Sequence, residues 1–67
     1  MQYTVNNETY NVNTVIAFSF YDLALAYETR HNYNLALENY RKSLDYDESL
    51  NFIKASINRL LHIINQK

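Results

Sequence analysis

Apolar and polar residues alternate over residues 1–12, and the pattern then changes to a helical period. The opening stretch reads Tyr3-Thr4-Val5, then Asn6-Asn7, then Glu8-Thr9-Tyr10-Asn11-Val12. A two-residue Asn-Asn turn between β-formers predicts a hairpin. In that register Val5 faces Glu8, Tyr3 faces Tyr10 and Met1 faces Val12, so these residues share one face. Gln2, Thr4, Thr9 and Asn11 share the other. A slip of one residue would mix the two sets, which specifies the register. Such a hairpin needs something to pack on, because alone it is marginally stable.

Three helical segments follow. Asn13 is placed as an N-cap, and residues 14–30 carry Ile16, Phe20, Leu23, Ala24 and Tyr27 at the spacing of one helical face. His31-Asn32 breaks that pattern. Residues 34–46 form a second helix with the stripe Ala36, Leu37, Tyr40 and Leu44, while Glu38, Asn39, Arg41, Lys42 and Asp45 are expected to face water. Asp47-Glu48-Ser49 makes the next turn. A third helix, residues 50–65, places Ile53, Ile57, Leu60, Leu61 and Ile64 on one side. Connections this short make successive helices antiparallel.

Composition narrows the function classes. The chain has 67 residues, room for one domain, with no cysteine, glycine or proline. Disulfides and thiolate zinc sites are thereby excluded, as are glycine-rich phosphate loops. Asn, Asp, Ser and His must make the turns, and Asn tolerates left-handed backbone better than most residues. Six Lys and Arg against seven Asp and Glu leave a net charge of −1. The basic residues are scattered, unlike a nucleic-acid-binding patch. Neither a secretion signal at Met1-Gln2-Tyr3-Thr4 nor an apolar run of membrane-spanning length is visible, so a cytoplasmic location is expected.

The first two helices resemble the tetratricopeptide repeat, a helix–turn–helix unit of about 34 residues. Phe20-x-x-Leu23-Ala24-x-x-Tyr27 matches the family pattern in the first helix, and Ala36-x-x-x-Tyr40 with Ser43 matches it in the second. Tyr33 follows the turn. Ala24 and Ala36 would let the helices approach closely, with Tyr27 and Tyr40 filling the space around them. His31 stands where the family has Gly, which strains the turn, and Glu48 stands where it has Pro, which removes a sharp stop. The third helix is similar to the first half of a further repeat, with Ile57 and Leu61 at the leucine and tyrosine positions. Asn58 and Lys54 depart from the small and aromatic positions, so it is expected to act as a capping helix. The expected fold is therefore mainly α: an N-terminal β-hairpin followed by three antiparallel helices, a tetratricopeptide-like pair plus a cap. One full repeat is fewer than the roughly three that such arrays normally need, so the hairpin or self-association must supply the missing core.

The resemblance implies a concave face for ligand peptides at Phe18, Tyr21 and Leu25, joined by Phe52, Arg59, His62 and Ile63 of the third helix. Three accounts of this stripe stand open: a groove for a partner segment, a surface covered by the hairpin's apolar face (Met1, Tyr3, Val5, Tyr10, Val12), or a homodimer seam. Of the seven tyrosines, Tyr27, Tyr33 and Tyr40 are assigned to packing and Tyr3 and Tyr10 to a cross-strand pair. Tyr21 is the one expected to bind. Asp22 and Glu28 face the groove, which favours a basic or apolar ligand. His31 and His62 lack a His or carboxylate partner at i+3 or i+4. No nucleophile–base–orienter set is present, so neither metal, cofactor nor catalysis is expected. The end of the third helix, Leu60-Leu61-His62-Ile63-Ile64, lacks the cationic polar face of a membrane-surface helix. The sequence thus predicts a non-enzymatic protein-interaction module, an adaptor or a stoichiometric inhibitor of the size that phage-encoded inhibitors have. A structural or regulatory homodimer whose paired helices complete the missing repeats is the alternative.

Overall fold

The computed structural model describes the backbone of residues 2–5 and 8–66 and the side-chain surroundings of residues 11–66. Its elements run β1 (Gln2–Val5), β2 (Glu8–Asn11), α1 (Val12–Thr29), α2 (Tyr33–Tyr46) and α3 (Asn51–Asn65). The two strands pair antiparallel, with Gln2 opposite Asn11 and Thr4 opposite Thr9.

The expected fold class needs correction here. It counted an N-terminal hairpin over residues 1–12 as a structural unit beside the helices, whereas the fold is that of three helices. Two strands of four residues each, with no third strand beside them among the described residues, make no layer. The buried core of the described residues is drawn from α1, α2 and α3 alone. Val12, expected to pair with Met1, instead begins α1. The Asn6-Asn7 turn and the side chains of Met1, Tyr3, Val5 and Tyr10 lie outside the described residues.

Helix α1 also starts earlier than expected. Asn11 has extended backbone, and its side chain accepts a 2.8 Å hydrogen bond from the Asn13 N–H. An extended N-cap satisfies one of the orphan donors of the first turn, so the cap is Asn11 and Asn13 lies inside the helix. At the other end His31 takes φ 62°. Its N–H bonds the Glu28 carbonyl, and the Asn32 N–H bonds the Tyr27 carbonyl, both at 2.9 Å. This is the Schellman closure, with a histidine at the left-handed position where glycine is usual.

The α2–α3 turn is built on Asp47, which does what a proline would do elsewhere. Its backbone N–H bonds the Ser43 carbonyl as the C-cap of α2. Its carboxylate accepts from the Ser49 N–H and hydroxyl and, at 2.6 Å, from the Thr14 hydroxyl of α1. The bonds from Ser49, and then that from Thr14, hold this carboxyl below its usual range.

The core is small and tightly interlocked. Ala17, Ala24, Ala36, Tyr40, Ile53 and Leu60 are fully buried. The Ser43 hydroxyl, also buried, donates a 2.6 Å bond to the Ala17 carbonyl. A short serine reaches the main chain of a neighbouring helix only where the two backbones approach closely, and alanines permit that approach. Tyr21, Leu25, Tyr27, Tyr33 and Leu37 pack half-buried against the cluster of Ala24, Ala36, Tyr40, Ile53 and Leu60.

The buried face of α1 is therefore displaced from the one that periodicity selects. Leu23, an expected core residue, is 49% exposed, while Ala17 is fully buried. Ile16, Phe20 and Tyr27 are only half-buried. The face turned inward runs through Ala17, Tyr21, Ala24 and Leu25, one residue further along the chain, or about 100° round the helix. Asn39 in α2 departs as well. It is buried rather than facing water, and its amide donates to the Leu35 carbonyl at 2.8 Å.

Candidate interaction surface

On one flank of the body, α1 and α3 meet through side chains. The Phe18 and Phe52 rings stack at 6.3 Å between centroids. Phe52 also receives the edge of Tyr21 at 5.1 Å, and Tyr21 in turn leans on Tyr40 at 5.8 Å. A ladder of four aromatic rings thus runs from the buried centre to the surface. Phe18 and Phe52 form its open end, 37% and 44% exposed. Ring pairs of this kind contribute roughly 0.5–1.5 kcal/mol beyond their buried area.

Further along the same flank, Glu28 of α1 joins the other two helices. Its Oε1 accepts from the Tyr40 hydroxyl of α2 at 2.7 Å and from the Arg59 guanidinium of α3 at 2.7 Å, while Oε2 takes a second bond from Arg59 at 2.8 Å. Burial, followed by the hydrogen bond to Glu28, pushes the Tyr40 hydroxyl well above the ordinary tyrosine range. The salt bridge lies partly in solvent, with Arg59 53% and Glu28 20% exposed.

The expected partner-binding residues divide into two groups. Phe18, Phe52, Arg59 and Ile63 are exposed, whereas Tyr21 and Leu25 are half-buried and packed on the core cluster. Tyr21, the tyrosine singled out for binding, holds helices together and supports Phe52 from beneath. Of the two acidic residues expected to face the groove, Glu28 is matched by Arg59, while Asp22 is exposed. Helical period alone did not reveal the Tyr40–Glu28–Arg59 arrangement, whose members lie 12 and 31 positions apart.

Other surface features hold no chemistry of this kind. A depression of about 520 Å³ along the outer side of α2 is lined by Leu35, Glu38, Arg41, Lys42 and neighbours on that helix. Among the described residues no group of three or more His, Asp or Glu could hold a metal ion. None of their helices is long and apolar enough to cross a membrane. No protein-family model, curated protein or solved structure matches the chain.

Proposed function

We propose that this chain is a small non-enzymatic interaction module that docks a segment of a partner protein on the α1/α3 flank. In this reading α1 and α2 form a tetratricopeptide-like pair and α3 caps it, and the protein acts in the cytoplasm as an adaptor or stoichiometric inhibitor. The observation that carries the reading is the Phe18–Phe52 stack, two exposed rings from different helices held side by side over half-buried Tyr21. Aromatic anchors at the centre of a surface are the groups that most often dominate binding energy. Exposed Arg59 and Ile63 continue the same side of α3, seven and eleven residues beyond Phe52. With Glu28 paired to Arg59 and Asp22 exposed, the flank suits an amphipathic segment with hydrophobic anchors and a basic residue.

The test is affinity capture from the source cell with wild type, Phe18→Ser and Phe52→Ser, each first shown to keep its helical circular dichroism. Phe18 and Phe52 serve better than Tyr21 or Leu25, whose replacement would damage the core. Loss of a partner with both variants supports the reading. Equal recovery by all three proteins removes this flank from consideration.

A further inference from the structure

The two turns between the helices are made differently. The α1–α2 turn uses the positive φ of His31, which occurs nowhere else among the described residues. The α2–α3 turn, residues 47–50, contains neither glycine nor proline and is bent at one residue. Asp47 is extended at φ −150° and ψ 94°. Its carboxylate holds that bend through the Ser49 N–H and hydroxyl and the Thr14 hydroxyl. The main chain adds little, since the Leu50 N–H reaches the Asp47 carbonyl only at 3.5 Å. Helix α3 then begins at Leu50 with no side-chain cap.

The inward-facing positions run through this turn without a break. Positions 36, 40, 43, 47, 50, 53, 57, 60 and 64 are all buried or half-buried. Their mean interval is about 3.5 residues, the period of a helix-pairing seam. Asp47 is the one charged residue among them.

We propose that Asp47 is a lock that keeps α2 and α3 apart, and that its release fuses them into one helix and lets two copies of the chain exchange α3. In the fused form α3 points away from its own α1 and α2 and docks on the pair of the second copy. The occupant is fixed by identity: the surface that α3 would cover there is the one it covers here, where Ile53 and Leu60 join Ala24, Ala36 and Tyr40 in one cluster. The core contacts are therefore kept, and the exchange closes as a symmetric dimer. Fusion also joins the last carbonyls of α2 to the first N–H groups of α3, ends that otherwise lack helical partners. Asp47 opposes it, because a carboxylate that accepts from the N–H two residues on holds a turn in place of a helix. The exchange is independent of partner docking, since the Phe18–Phe52 flank is rebuilt between α1 of one copy and α3 of the other.

Refolding of the full chain at near-millimolar concentration, followed by sedimentation, tests the lock. Wild type is expected to refold mainly as a single chain. Asp47→Ala, which puts a strong helix former in the turn, is expected to give a several-fold larger share of dimer. Adding Glu48→Pro to that variant should return it to a single chain. A proline at position 48 interrupts the fused helix, yet it favours the extended backbone that residue 47 already has. Thr14→Val/Ser49→Ala strips Asp47 of both hydroxyl partners and should shift the balance toward dimer as well, which supplies a second readout if Asp47→Ala does not fold. Folded variants that stay single chains at every concentration overturn the proposal. So does a dimer that Glu48→Pro leaves whole, which would be held by a surface contact and not by exchange.

Discussion

The Ser43 hydroxyl of α2 donates a 2.6 Å hydrogen bond to the carbonyl oxygen of Ala17 in α1, which ties the two helices at a point where neither has room for a larger side chain. Both residues are fully buried. Ser43→Ala loses one neutral hydrogen bond and little volume, so a destabilisation of about 1 kcal/mol is expected. Ser43→Leu forces the helices apart and is expected to cost about 3 kcal/mol. Urea unfolding would rank the two. A smaller loss for Leu than for Ala would mean that the helices are not in close contact here.

Glu28 gives a prediction in which the buried partner matters more than the charged one. Removing Arg59 as Arg59→Ala breaks a partly solvated ion pair, for which a loss of about 0.5 kcal/mol is expected. Glu28→Ala also strips the Tyr40 hydroxyl of its acceptor inside the protein, which costs about 1–3 kcal/mol. Glu28→Gln keeps an acceptor oxygen and should fall between the two. Denaturant midpoints for the three variants check the order. An Arg59→Ala loss equal to that of Glu28→Ala would assign the effect to the salt bridge instead.

His31 holds a left-handed backbone conformation at φ 62°, where a β-carbon costs roughly 1–2 kcal/mol. His31→Gly relieves that strain but enlarges the freedom of the unfolded chain, so a net gain of about 0.5–1 kcal/mol is expected. His31→Ala, which keeps the β-carbon, should give no gain. Thermal unfolding of the two variants side by side separates conformational relief from any effect of losing the imidazole.

These three sites differ in how far they could be read beforehand. The small-and-large pattern of Ala24, Ala36 and Tyr40 is local and periodic, so the α1–α2 contact was legible from the sequence. Strain at His31 was legible too, because a residue with a β-carbon stood where a turn needed none. The orientation of α1 was not. From Val12 to Tyr27 it carries apolar residues on nearly every side, so period alone did not decide whether Leu23 or Ala17 turned inward. That choice came from α2 and α3 packing on α1 together, an arrangement no single-helix pattern contains. The hairpin was overvalued for a related reason: alternation records local backbone preference, and two strands of four residues make no layer by themselves. Glu28 was read only as a groove charge, and its bridging role was not legible, since a carboxylate on a helix is ordinary until Tyr40 and Arg59 arrive from other helices.

The phenol of Tyr40 makes stability depend on alkaline pH, and the direction follows from its surroundings. Tyr40 is fully buried beside the Glu28 carboxylate, and burial first, then that hydrogen bond, raises its pKa. In the unfolded chain it would titrate near the ordinary tyrosine value of about 10. A group whose folded pKa lies above its unfolded one contributes stability that is complete below the unfolded value and is lost as pH rises toward the folded value. Above about pH 10 the unfolded state gives up a proton that the folded state keeps, so unfolding becomes easier by about 1.4 kcal/mol per pH unit from this group. Tyr40→Phe removes that dependence while costing about 1 kcal/mol at neutral pH through the lost bond to Glu28. The other six tyrosines are common to both proteins, so subtracting the two stability–pH curves isolates Tyr40. The variant should be the less stable protein at pH 8, and its disadvantage should shrink and then reverse as the pH climbs past about 10. Parallel curves across that range would mean that the phenol is not held neutral by burial.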